Sequence, residues 1–295
     1  MQYHDPLTLY DQLMELVRQR LVHVRYNQDR TLVMFKYTRD VFFKSLWHRS
    51  DALLEARGIV FTNPDTTGRC AIATLPFKKV FNLGENGVEL QPHTWYNLFR
   101  KINGFMASVS VNPLTQEMLV TTTGSFDSDY VAMAKESLIK DATNSLNLIP
   151  GYTYLYEIVH PNDPHIVDER VGAHFLASRR HSDGVLFPNG ELFLGSFRGE
   201  RILQIAENDQ TEGYMIYNSD GFAAKYKTRY YRTKKFLMRV KGDKLRLIWS
   251  NLDKAKLAFS DEEFWPTFHK LRESISADDF IALSEQERRA FLETL

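Results

Sequence analysis

One cysteine, Cys70, stands in a chain of 295 residues. A single thiol excludes an intramolecular disulfide and any multi-cysteine zinc site. Charge of one sign is not in surplus either: 37 Lys and Arg balance 37 Asp and Glu, so partners must be read from where charge falls rather than from its total. No apolar run reaches the roughly 18–20 residues that cross a bilayer, so no membrane partner is expected. The opening Met1-Gln2-Tyr3-His4-Asp5 has no basic stretch leading into an apolar one, which predicts no secretory signal and a cytoplasmic protein. Internal repeats and low-complexity linkers are missing. The length suits one large domain and a smaller one.

What is there is ordered in blocks. Asp5-Pro6 reads as N-cap and first helical residue. Leu9, Leu13, Leu16, Val17 and Leu21 follow at helical spacing, which predicts a helix over 5–21. Short β-type runs come next: Ile59-Val60-Phe61, Ala71-Ile72-Ala73 and Val80-Phe81, with turn chemistry at Asn63-Pro64-Asp65 and Gly68. Phe105 to Val111 and Met118 to Thr123 predict a hairpin, and Ser128 predicts a helix through about Ala142. Tyr152 to Val159 is a strand by its aromatic and β-branched content. Two further hairpins are expected. One flanks Pro188-Asn189-Gly190, with Val185 to Phe187 on one side and Glu191 to Leu194 on the other. The second flanks Asn218-Ser219-Asp220-Gly221. Beyond residue 233 the texture turns helical, with capping boxes at Ser260 to Glu263 and Ser284 to Glu287. The fold class is α+β: an antiparallel-sheet domain over 1–233 and a small helical domain over 234–295.

Charge shifts near the same boundary. From Lys225 to Arg246 there are ten Lys or Arg and one acid, Asp243. A basic segment interleaved with Tyr226, Tyr230, Tyr231 and Phe236 suits a phosphate backbone with bases to stack; a solvated basic face is the plainer alternative. His160, His165, His174 and His181 crowd Asp163 and Asp168, but prolines interrupt them and no pair has the spacing of a helical zinc motif, so a structural role is expected. Cys70, among small apolar residues, reads as packing.

Six short segments carry the chemistry. In chain order they are Ala56-Arg57-Gly58-Ile59-Val60-Phe61 with Pro76-Phe77-Lys78-Lys79-Val80-Phe81-Asn82, then Lys101-Ile102-Asn103-Gly104, Tyr156-Glu157-Ile158-Val159, Glu212-Gly213-Tyr214, and Lys225-Tyr226-Lys227. Each alone is commonplace. Their order resembles that of the covalent nucleotidyltransferases, the ATP-dependent DNA and RNA ligases and mRNA capping enzymes. Within that superfamily the chain is most similar to the bacteriophage RNA ligase 1 family. The Arg57 and Phe81-Asn82 segments, Glu85-Asn86, the Thr123-Gly124-Ser125 step (K-G-S in the family), and Glu212-Gly213-Tyr214, Asp220-Gly221 and Lys225-x-Lys227 carry that similarity over roughly residues 5–235. Asn103 departs from the acid found there in the phage enzyme; K-x-N-G is the form seen in fungal tRNA ligases.

The resemblance implies a nucleotidyltransferase domain of the ATP-grasp-like ligase type, acting on ATP with Mg²⁺ or Mn²⁺. Lys101 would attack the α-phosphate to form lysyl–AMP. AMP would pass to an RNA 5′-phosphate, and a 3′-hydroxyl would then displace it, joining the ends as in RNA or tRNA repair. Lys225 and Lys227 would contact the α-phosphate, and Arg57 and Lys79 the outgoing pyrophosphate. Glu157 and Glu212 would hold metal-bound waters, Glu157 alternatively the ribose. Asn103, Gly104, Leu176 (against adenine) and Arg179 would line the nucleotide site. An ammonium has no lone pair, so Lys101 must shed a proton before attack, which the positive charge of Lys225, Lys227 and the metal favours. Two other readings remain: a DNA ligase or capping guanylyltransferase, disfavoured by the lack of a large OB-fold segment after Lys227, and a non-catalytic ligase-fold protein that binds RNA ends.

Overall fold

The computed structural model describes residues 5–141, 147–163, 165–206, 209–240, 242–259 and 264–295. It divides into two compact units. The first comprises Met1–Val88 and Ile102–Leu194, the second Glu89–Lys101 and Gly195–Leu295.

In the first unit Asp5 caps the helix Pro6–Arg18 by accepting a hydrogen bond from Thr8 N. The helix is shorter than the expected 5–21. The chain turns at Arg20, whose φ is +60°, and a strand begins at Val22. Leu9, Tyr10, Leu13 and Leu16 are buried with Val33, Phe35, Ile59 and Phe61, on one face of an antiparallel sheet ordered Val22–Tyr26, Leu32–Tyr37, Arg57–Thr62, Ile72–Thr74. The alternation of strand side chains puts Leu32, Met34, Val60 and Ala73 on the other face. A second antiparallel sheet runs Leu186–Pro188, Gly172–Arg180, Tyr152–Val159, Phe105–Val111, Met118–Thr122. The helix Asp129–Asp141 covers it through Val131, Ala134 and Leu138. A hydrogen bond of 3.0 Å between the Thr74 and Ser110 hydroxyls, and one of 2.8 Å from Leu75 N to Thr153 Oγ1, tie the two sheets.

In the second unit Trp95–Lys101, Gly213–Tyr217 and Ala223–Lys227 lie side by side, antiparallel, with Phe193–Arg198 along the other edge of Trp95–Lys101. Thr228 then caps the helix Arg229–Arg239. That helix and the shorter ones after it close on Phe236, Ile248, Phe268, Leu271, Phe280 and Leu292. The capping box at Ser284 and Glu287 is present; the one expected at Ser260 to Glu263 lies outside the described residues.

The hairpin expected around Pro188-Asn189-Gly190 is not formed. Leu186–Pro188 pairs with Ala177 to Arg179 in the first unit's sheet, whereas Phe193–Arg198 belongs to another. Asn189 is the reason locally. Its Oδ1 accepts from Glu191 N, 3.1 Å away, opening a 3₁₀ turn, and its Nδ2 donates to Phe175 O at 2.9 Å. The same turn residues therefore redirect the chain instead of folding it back.

Candidate active site

Lys101 is the last residue of its strand. Directly opposite it is Gly213, and opposite Gly213 on the next strand is Lys227. Glu212 enters that row from the preceding position. Its Oε2 accepts from Lys101 Nζ at 2.9 Å and its Oε1 lies 3.3 Å from Lys227 Nζ. Only 2% of Glu212 is exposed. A carboxylate so enclosed is tolerable because two ammoniums face it. Gly213 makes the row possible. Its φ is +146°, and a Cβ there would run into the Tyr226 carbonyl oxygen. The hairpin that brings Glu212 to Lys227 is turned by Asn218, whose Oδ1 accepts from Asp220 N and Phe222 N, and by Gly221 at φ +84°. Thr228 locks its base, donating from N to Glu212 O at 3.1 Å and from Oγ1 to Thr211 O at 2.6 Å. Lys225, two residues before Lys227, faces the same side of the strand.

The first unit holds a second set. Glu157 sits in the strand Tyr152–Val159 between Met106 and His174. Its Oε1 accepts from Gly104 N at 3.1 Å. A Cβ on residue 104 would strike the Ile158 carbonyl oxygen, so close approach of two backbones is what requires this glycine. Asn103 is buried, and its Oδ1 accepts from both Ile166 N and Val167 N at 3.0 Å. The amide oxygen thus holds a neighbouring loop with no negative charge placed there. Leu176 is the extra residue of a β-bulge between Phe175 and Ala177, a device that re-aims a side chain; it is half-buried.

Three expected phosphate or nucleotide contacts have distinct surroundings. Arg57 Nη1 donates to Lys78 O at 3.0 Å. The Lys79 ammonium is enclosed by the rings of Phe42, Trp47 and Phe81, 5.1–5.3 Å from their centroids, and lies 3.3 Å from Glu85. Arg179 is 2% exposed and makes a bidentate ion pair with Glu55 at 2.8 and 2.9 Å, with further bonds to the Pro76 and Gly184 carbonyls. Nothing in the residues around Glu55 singles it out. It ends a one-turn helix just before Arg57, and only the folded chain brings it to a residue 124 positions away.

Two of the aromatics expected to stack bases are core. Tyr231 and Phe236 are 3% and 2% exposed, because the helix Arg229–Arg239 turns them inward while Arg232 and Arg239 face solvent. Tyr231 carries the ammoniums of Lys227 and Lys235 on its ring. Among the described residues no three His, Cys, Asp or Glu side chains group as metal ligands. Burial pushes the Cys70 thiol up to about 11, which leaves it inert as a nucleophile. No helix among the described residues is long and apolar enough to cross a membrane.

No family model and no curated protein sequence matches the chain. Solved structures do. A candidate ATP-dependent DNA ligase from Aquifex aeolicus superposes with a TM-score of 0.55 at 13% identity, over 97% of this chain and 78% of that one. Two forms of an archaeal ATP-dependent RNA ligase also superpose at 0.55. Form 2 is 10% identical over 96% of this chain and 75% of that one, and form 1 is 13% identical over 95% and 74%. At such identities the likeness is one of fold, and the fold of this chain is that of ATP-dependent RNA and DNA ligases.

Proposed function

We propose that this protein is an ATP-dependent RNA ligase that joins 5′-phosphate and 3′-hydroxyl RNA ends, in RNA repair, with Lys101 as nucleophile. The observation that carries the reading is the row Lys101–Glu212–Lys227, set in a ligase fold by a glycine with no room for a side chain. The bacteriophage RNA ligase 1 pattern of the motifs favours RNA over DNA.

The first step joins Lys101 Nζ to the α-phosphorus of ATP. An N–P bond forms, the bond from the α-phosphorus to the bridging oxygen breaks, pyrophosphate leaves and the amine loses a proton. Glu212 Oε2 holds the amine in place, and Lys225 and Lys227 offset charge on the α-phosphate. In the second step an RNA 5′-phosphate oxygen takes the AMP, freeing Lys101. In the third, a 3′-hydroxyl attacks that phosphate, the phosphodiester forms and AMP departs. Glu157, Asn103, Gly104 and the bulged Leu176 serve the nucleotide. Arg179 acts through Glu55 to fix its strand. The residues of this scheme fall in 1–233, which leaves 234–295 for substrate selection.

A divalent cation, Mg²⁺ or Mn²⁺, fits in one mode only. With no three-ligand cage among the described residues, Glu157 or Glu212 would hold it through water, as Mg²⁺ is commonly held beside phosphates. When bound it neutralises phosphate charge.

The test is incubation with α-labelled ATP or GTP and Mg²⁺, then denaturing electrophoresis. Label from ATP should stay on the protein, survive base and be lost in acid, as a phosphoramidate is. Absence of label, or label from GTP alone, overturns the reading.

A further inference from the structure

We propose that Lys36 and Arg57 together form the seat for the terminal phosphates of ATP and for departing pyrophosphate, with Arg25 and Arg39 strengthening its field. This deepens the ligase reading and rests on it.

The seat is a consequence of strand alternation and one bulge. In Leu32–Tyr37, Val33 and Phe35 face the helix-covered core while Leu32 and Met34 face the other way, so Lys36 shares the face of Met34. In Arg57–Thr62, Ile59 and Phe61 are core, and an unbroken ladder would send Arg57 in with them. The register instead slips at Gly58: Phe35 stands opposite Ile59, but Lys36 stands opposite Arg57. The slip turns the guanidinium onto the face of Lys36. Only glycine serves at the slip, since its φ is +93° and a Cβ would come within 2.8 Å of Thr123 Cα. On the adjoining strand His23 stands opposite Lys36 and Arg25 opposite Met34, adding their side chains to that face. The Lys36 ammonium lies over the Thr123-Gly124-Ser125 loop, 2.9 Å from where a Cβ of residue 124 would be.

Like charges directly opposite each other on paired strands are destabilising. Here no described carboxylate offsets them. Among the described residues no carboxylate forms an ion pair with Arg25, Lys36, Arg39 or Arg57. The Lys36 ammonium is held below its ordinary pKa first by burial, then by Arg25, Arg57 and Arg39, all of them cations. A convergent set of cations that the fold leaves uncompensated matches a compact polyanion. Lys79 is in the opposite condition, boxed by three rings and balanced by Glu85. The partner of Arg57 on this face is therefore Lys36, and Lys79 braces the segment that follows it.

Inorganic pyrophosphate is the probe. Calorimetric titration of the full chain should show binding that Lys36→Gln weakens at least tenfold, that Lys36→Arg restores, and that Lys44→Gln, outside this face, leaves unchanged. Lys36→Gln should melt no lower than wild type, since it relieves repulsion, and pyrophosphate should raise its Tm less. In adenylylation its KM for ATP should rise about tenfold, with sealing of pre-adenylylated RNA within twofold of wild type. Pyrophosphate affinity unaltered by Lys36→Gln overturns the proposal, as does wild-type protein that binds no pyrophosphate. A loss of single-stranded RNA affinity with pyrophosphate affinity intact also overturns it and assigns the face to RNA. If wild type takes no label on Lys101 while Lys36→Gln still loses pyrophosphate, the anion seat stands and the ligase reading alone falls.

Discussion

Glu212 is shared by two lysines, so removing either one has a structural and a chemical consequence that can be separated. Lys101→Ala deletes the proposed nucleophile and also takes one of two ammoniums away from the buried Glu212 carboxylate, leaving Lys227 beside it. We expect no adenylate label and a stability loss of about 1–3 kcal/mol, below the cost of stranding a buried charge outright. Lys101→Arg keeps a cation against Glu212 but offers a guanidinium that stays protonated. It should melt within a few degrees of wild type and still carry no label; labelled Lys101→Arg would remove Lys101 from the chemistry. Gly213→Ala is the sharper structural probe. With φ at +146° and the Tyr226 carbonyl in the way, strands Gly213–Tyr217 and Ala223–Lys227 must part where Glu212 and Lys227 meet. Labelling should fall at least a hundredfold, with about 2–4 kcal/mol lost. Near-normal labelling would mean the row is not needed for transfer.

At the scale of elements, the sequence was a good guide where the determinants are local and a poor one where they are not. The hairpin over 213–227 was legible because Asn218 and Gly221 supply its turn and strand residues flank them. Residues 185–194 carry equally good turn residues, yet their two strands pair in different sheets, because strand partners are chosen by distant segments. The ring box around Lys79 draws Phe42 and Trp47 from more than thirty positions upstream, and no spacing rule announces it. In the basic helix Arg229–Arg239 the composition shows the cations but not which face each residue takes, since Tyr231 and Phe236 turn into the core. RNA contact, if this helix provides it, comes from its outward cations. Arg232→Ala with Arg239→Ala should lower the salt slope of single-stranded RNA binding by about 1.4, at roughly 0.7 per phosphate contact, and spare adenylylation. Lys235→Ala should instead lower Tm, because its ammonium rests on Tyr231 and Phe264. An unchanged slope in the double variant would leave the helix as a solvated face.

Across the whole molecule the chain passes from one compact unit to the other three times, and one passage falls inside the lysine motif, between Lys101 and Ile102. Each unit has its own core: Leu13, Phe35 and Phe61 in the first, Phe236, Phe268 and Phe280 in the second. Separate cores allow separate melting, so unfolding need not be two-state. Acid should act on the first unit in particular. Burial pulls the His181 imidazole down to about 4, with Arg179 adding to the shift, and Nε2 lies 2.8 Å from Thr153 Oγ1. A histidine whose folded pKa lies below its unfolded value near 6.5 is held neutral by the fold. Its contribution is complete above about pH 6.5, declines as pH falls through 6 and 5, and is gone below about 4. The full displacement corresponds to at most about 3 kcal/mol. Scanning calorimetry at pH 7 and pH 4.5 should show the first unit's transition moving down by several degrees more than the second's. His181→Gln, which cannot be protonated there, should start lower at pH 7 and lose less of that margin on acidification. An equal acid shift in wild type and His181→Gln would take His181 out of the account and leave the first unit's acid sensitivity to its carboxylates.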